Sequence, residues 1–195
     1  MMDFAYWLPI VWAVILVAAI SIYVVLDGFD LGIGMLFALE RHPDRRDVMV
    51  NTIAPVWDGN ETWMVLGGAV LYGVFPGAYA TLLPAFYLPI VLMLLALIFR
   101  GVAFEFRVMT RDTGREGMWN AGFMAGSAIA AFCQGAILGG VVQGIRVVDG
   151  AFAGGPLDWL TPFSILCGLS VMCGYALLGA TWLIWRTTGV LEESC

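Results

Sequence analysis

The sequence predicts an all-α fold, a polytopic transmembrane helical bundle made of a four-helix unit and a fifth transmembrane helix. Three observations carry this reading. The 195 residues are 61% hydrophobic and only 12% charged, whereas a soluble domain is about 45–50% apolar and about 25% charged, so there is too little polar surface to cover a globule in water. Five apolar stretches reach the roughly 20 residues that cross a bilayer. All nine basic residues are arginine, and most of them fall in alternate connections between those stretches.

The first span runs from Tyr6 to about Leu26, and a helical extension through "DGFDLGIGMLFAL" is open to it. The start "MMDF" is acidic where a signal peptide is basic, and no small-residue cleavage site follows, so this stretch is expected to remain as an anchor. The second span is about Pro55 to Phe75, the third about Ala78 to Phe104, the fourth about Trp119 to Val142, and the fifth about Leu160 to Trp185. The expected organisation is therefore a four-helix unit over 1–142, an external connection over 143–159, and a fifth helix with a truncated end over 160–195. The end is read as truncated because "GVLEESC" stops just after an odd-numbered span. A short hairpin or an irregular loop fits the external connection, "GIRVVDGAFAGGPLD".

Arg41, Arg45 and Arg46 follow the first span, Arg107, Arg111 and Arg115 the third, and Arg186 the fifth. The even-numbered connections hold only Arg146. The positive-inside rule then places the odd-numbered connections in the cytoplasm and the N-terminus outside, in a multi-pass plasma-membrane protein. Glycines recur four apart at Gly28/Gly32, Gly122/Gly126, Gly135/Gly139 and Gly140/Gly144. Such pairs let helix backbones approach closely where lipid removes the hydrophobic drive.

Several classes of chemistry are excluded by what the residues do not form. No basic patch with interleaved aromatics suggests nucleic acid. Cys133, Cys167, Cys173 and Cys195 lack C-x-x-C spacing and read as small apolar residues. No P-loop, zinc-protease or nucleophile-elbow motif occurs. The "NET" at Asn60 matches a glycosylation sequon but lies within a span. His42, the one histidine, sits in the charged loop "ERHPD". No span offers a histidine to a haem, and the ten methionines read as packing. Neither a metal site nor a catalytic residue is expected on this chain.

The informative residues are charges inside the spans. Asp27 and Asp30 lie late in the first span, Asp58 and Glu61 early in the second, and Arg100 late in the third. Each acid pair is three apart and shares a helix face. Up-down topology gathers all five toward one end of the bundle. One reading is structural: an Arg–Asp ion pair pins three helices, helped by helix dipoles. The other is a proton path, the default for ionisable residues in spans. Both readings can hold together. Trp57 and Trp63 flank the second acid pair, as packing or as walls of a small-molecule passage; Trp7, Trp119, Trp159 and Trp185 fall near span ends, as an interfacial belt does.

Four stretches, "DGFDLGIGML" at Asp27–Leu36, "NTIAPVWDGNETW" at Asn51–Trp63, "FRGVAFEFR" at Phe99–Arg107 and "LDWLTPFSILCGL" at Leu157–Leu169, resemble subunit II of cytochrome bd-type quinol oxidases. "DGNETWMVLGG" and "LIFRGVAFEFR" look more like its cyanide-insensitive branch. The resemblance implies a heterodimer in the bacterial inner membrane, of which this chain is the N-terminal part of one subunit. The haems, b-type and at a d-type site, lie in the partner, subunit I, and this chain alone binds no cofactor. The complex oxidises quinol from the quinone pool and reduces dioxygen to water. The resemblance further implies a proton path from the cytoplasm through Asp58, with Asp27, Asp30, Arg100 and Glu61 nearby, and links Trp63 to oxygen access. The competing readings are a proton-coupled transporter, which would show paired broken helices, and a structural subunit without conduction.

Overall fold

The computed structural model describes residues 4–110 and 116–187. Arg111, Arg115, the first three residues and the segment 188–195 with Cys195 lie outside the described residues. Among the described residues the chain forms seven helices and one hairpin of two-residue strands.

Helix α1 (Phe4–Leu36) includes the whole "DGFDLGIGML" extension. At about 1.5 Å per residue, its 33 residues are longer than a bilayer core is thick. The loop after it is not wholly irregular. Helix α2 (Pro43–Ile53) starts with Pro43 at its first turn and buries Met49, Val50 and Ile53 against the bundle. Arg46 Nε donates to Glu40 O at 2.7 Å and its Nη2 donates to Phe37 O at 3.2 Å, satisfying carbonyls of the turn that follows α1. Glu40 accepts the His42 N–H at 2.8 Å, which holds its carboxyl below the usual carboxylate range.

Helix α3 (Trp57–Val74) follows, then α4 (Pro76–Ala85), bent from it by 119°. Phe75 precedes a proline and is pushed off the helical region, at φ −121° and ψ 56°. The expected third span, Ala78 to Phe104, is not one helix. It breaks at Phe86, where α5 (Tyr87–Met109) begins. The reason is Pro89, which lacks an N–H and whose ring would strike the carbonyl of Ala85 in a continuous helix. Helix α6 (Glu116–Gln143) leads into a hairpin, β1 (Val147–Val148) and β2 (Ala151–Phe152), with Val147 opposite Phe152. Asp149 and Gly150 carry positive φ in the two-residue turn, as hairpin twist requires. Helix α7 (Pro162–Arg186) starts with a capping box, Thr161 and Ser164 each bonding the other's backbone N–H.

Among the described residues, four stretches are long and apolar enough to cross a membrane: Tyr6–Leu36, Tyr87–Arg107, Glu116–Gln143 and Pro162–Arg186. The bent pair α3–α4 passes the same test together. Helix α1 packs on α3, α6 and α7; α6 packs on α5 and α7. Glycines set these crossings. A Cβ on Gly32 would run into the Tyr175 carbonyl oxygen, one on Gly126 would meet Ala96 O at 2.7 Å, and one on Gly139 would meet Ser164 Cα at 2.7 Å. Gly144 does different work from the packing expected of it. It has φ +84° and open space around it, and it ends α6.

At the arginine-rich end a buried guanidinium ties three helices and the turn after α1. Arg107 Nη2 donates to Asp47 Oδ1 at 2.6 Å and to Glu116 Oε1 at 3.4 Å, and Nε donates to Asn120 Oδ1 at 2.6 Å. Its Cζ also lies 5.1 Å from the Phe37 ring centroid. Arg107→Leu is expected to destabilise the folded chain by about 2 kcal/mol, the scale of a hydrogen bond to a charged group. A thermal melt of the purified protein checks this, and an unchanged midpoint contradicts it.

Candidate functional site

The sequence singles out five ionisable residues, and the structure brings four of them together. Asp27 and Asp30 are both 0% exposed on α1, and Arg100 on α5 is 1% exposed. Arg100 Nη1 donates to Asp27 Oδ1 at 3.3 Å and lies 3.9 Å from Glu61 Oε2 on α3. One guanidinium thus links three helices. Burying a charge without a partner costs several kcal/mol, so each of these groups constrains where the others sit.

Asp58 stands apart from that set. It is exposed on the outer side of α3. Three residues advance a helix by about 300°, which leaves Asp58 about 60° around from Glu61. That rotation carries it from the bundle interior to the rim. It remains close enough for its charge to act on Glu61. Trp63 is half-buried on α3 and joins neither the ion pairs nor the hydrogen bonds of the set among the described residues. Trp57 lies against α5, its ring centroid 5.1 Å from that of Phe104.

The interior position on α3 belongs to Asn60. Its Nδ2 donates to Asp30 Oδ2 at 2.9 Å and to Leu26 O at 3.4 Å. A second polar run was missed in the sequence. Tyr175 on α7 donates to Gln134 Oε1 on α6 at 2.7 Å, and Gln134 Nε2 donates to Tyr23 Oη at 2.7 Å. The Tyr23 hydroxyl faces Asp27, one turn further along α1. The signals were present: Gln134 interrupts the apolar run "AAFCQGAIL", and Tyr23 is four residues from Asp27. Asp27 Oδ2, Asp30 Oδ1, and Arg100 Nε and Nη2 are buried without a protein partner among the described residues. Among the described residues the set therefore holds buried donors and acceptors that the protein itself does not satisfy.

The family described as cytochrome bd terminal oxidase subunit II matches residues 8–195. The chain belongs to that family. The "Cytochrome bd-I ubiquinol oxidase subunit 2" of Escherichia coli (strain K12) is 35% identical over 191 residues, covering 95% of this chain and 50% of that protein. The "Cytochrome bd ubiquinol oxidase subunit 2" of Bacillus subtilis (strain 168) is 35% identical over 182 residues, covering 92% and 54%. The "Probable cytochrome oxidase subunit 2" of Haemophilus influenzae is 31% identical over 199 residues, covering 99% and 52%. The chain spans about half the length of the curated relatives it matches.

The family is one of cytochromes, which carry haem, and the described spans hold no histidine. His42 is exposed ahead of α2, outside every span.

Proposed function

We propose that this chain is part of the non-haem subunit of a bd-type quinol:oxygen oxidoreductase in the bacterial inner membrane. It packs beside and stabilises the haem-bearing subunit I, and it supplies protons from the cytoplasmic side for reduction of dioxygen to water. The observation that carries this reading is the Asp27–Arg100–Glu61 set. Ionisable groups are held inside an apolar bundle by one another, and one of them, Glu61, reaches the surface beside Asp58. A purely structural pin needs one well-matched pair, whereas Arg100 faces two acids, Asp27 and Glu61, with Asp30 buried beside them, and several of their polar atoms have no protein partner among the described residues. Arg41, Arg45, Arg46, Arg107 and Arg186 share one end of the bundle, which supports a cytoplasmic placement of that end and an external N-terminus.

In this reading Asp58 presents a carboxylate at the rim of α3 and keeps local proton concentration high. Glu61 passes the proton inward, and Asp27 and Asp30 hold it near Arg100. Quinol oxidation and the four-electron reduction of dioxygen take place on the partner's cofactors. Trp63, half-buried further along α3, is placed on the route of oxygen.

Two measurements test this. Purification through a tag on the full-length subunit should bring down a partner whose reduced-minus-oxidised spectrum shows haem bands; a colourless lone protein would instead favour a transporter. In that complex Asp58→Asn should lower quinol-driven oxygen consumption by about tenfold, the lower range of what a positioned proton-transfer group contributes, with haem bands unchanged. Wild-type turnover in Asp58→Asn would leave subunit II a structural role only.

A further inference from the structure

The buried carboxylate set is closed off along the bundle axis on both sides. Toward the arginine-rich end the closure is aromatic. Phe37 just beyond α1, Phe104 on α5 and Phe123 on α6 are all buried. Phe123 meets Phe37 edge-on at 5.4 Å between ring centroids and lies 5.9 Å from Phe104. The Arg100 Cζ is 6.0 Å from the Phe123 centroid on one side, and the Arg107 Cζ is 5.1 Å from the Phe37 centroid on the other. The rings therefore fill the space between two buried guanidinium groups, Arg100 in the carboxylate set and Arg107 nearer the arginine-rich end. Seven residues of α5 separate those two arginines, a rise of about 10 Å. Ile33, Met49, Val50, Ile53, Ala103 and Leu183 belong to the same buried apolar cluster. An apolar space of this kind offers water no hydrogen-bond partners and stays dry.

On the opposite side the Tyr23–Gln134–Tyr175 run stands against Asp27. Its middle member is an amide, which accepts on oxygen and donates on nitrogen. It cannot take up a proton on one side and release one on the other while remaining an amide. Tyr175 also belongs to a second apolar cluster with Leu31, Ala96, Leu97, Ala130 and Ala131. The set retains one member in contact with the outside: the Glu61 side chain is 24% exposed.

We infer that Phe37, Phe104 and Phe123 form an insulating septum. It denies protons a straight route from the arginine-rich face, and Glu61 is thereby the port of the buried set among the described residues, entered sideways across the α3 face. This rests on the proton-input reading above. The septum makes passage depend on a carboxylate that titrates rather than on a column of water, so the bundle does not become an open leak.

The test is a bypass experiment in the purified complex of full-length chain and partner. Glu61→Gln is expected to lower oxygen-consumption turnover by about tenfold. Adding Phe123→Ser, which opens the septum beside Arg100, should recover turnover at least about threefold over Glu61→Gln alone, since water then reaches Asp27 directly. Phe37→Ser in the same background is the second variant. A double variant with intact haem bands and no recovery overturns the septum, as does full turnover in Glu61→Gln. In either case loss of turnover in Arg100→Leu would still support proton input through the set. An activity-independent measurement needs no variant: hydroxyl-radical labelling of the wild-type complex should leave Phe37 and Phe123 unmodified. Their hydroxylation at the level of the exposed Phe99 would show a wet septum and end the proposal.

Discussion

Gly32→Ala is expected to prevent stable assembly of the bundle, although it adds one methyl group to a helix that would otherwise gain from it. Alanine is the better helix former by about 1 kcal/mol, so local propensity predicts the opposite result. The tertiary contact decides. A Cβ at position 32 would run into the Tyr175 carbonyl oxygen, backbone that cannot rotate away. Across the same crossing, a Cβ on Gly179 would lie 2.6 Å from the Ile33 nitrogen. Helices α1 and α7 are in backbone contact there, and both must shift to admit the methyl. The shift would also part Phe29 from Trp182, which stack at 4.1 Å, and would strain the Tyr175–Gln134 hydrogen bond. Overpacking a rigid core costs about 1–3 kcal/mol or more, and in lipid no hydrophobic drive between helices makes up for it. Size-exclusion chromatography of the detergent-solubilised complex after a heating series should show loss well below the wild-type temperature. Gly73→Ala, where a Cβ meets open space, should behave as wild type. Equal stability of the two variants would remove the close α1–α7 crossing as a determinant of the fold.

Arg100→Leu is expected to abolish most oxidase turnover while the haem bands of the complex persist. Removing one partner of a buried ion pair costs about 3–5 kcal/mol if the other stays charged. Asp27, fully buried, avoids that cost by keeping a proton, and a carboxyl that keeps its proton no longer exchanges it. Turnover should therefore fall more than stability does. The double variant Arg100→Leu/Asp27→Asn separates the two effects. With both charges gone the stability loss should shrink, because replacing both partners of a buried pair is often close to neutral. Turnover should stay low, because no exchangeable group remains at position 27. Recovery of turnover in the double variant would mean that the pair serves only to hold helices together.

Much of this was legible in one dimension. Apolar length located the membrane-crossing segments, and the spacing of Asp27, Asp30, Asp58, Glu61 and Arg100 along antiparallel spans placed them at one level. Glycines four apart marked three of the helix crossings. The failures share a cause. A period of 3.6 residues reports which side chains share a face, but not which face turns inward. Asp58 and Glu61 read as one pair, whereas about 60° of rotation leaves Asp58 exposed at the rim and turns Glu61, half-buried, toward Arg100. Asn60 was passed over because it lies between them in the sequence, although it is the residue that reaches Asp30. The break at Phe86 was written in Pro84 and Pro89, but a run of apolar residues on both sides masked it. Helix α2 was hidden by its charges, since its few apolar positions become meaningful only when the bundle end is there to receive them.

What the sequence determined by itself was the class of solvent and the inventory: hydrocarbon around the helices, and a handful of ionisable groups too costly to leave alone in it. Which of those groups meet was decided by tertiary structure. Arg100 finds Asp27 across 73 positions and Gln134 finds Tyr23 across 111. Such partners are chosen by the azimuth and depth of packed helices. Those quantities are set by backbone contacts at glycines and by interlocked rings, and they exist only once the helices have been pressed together.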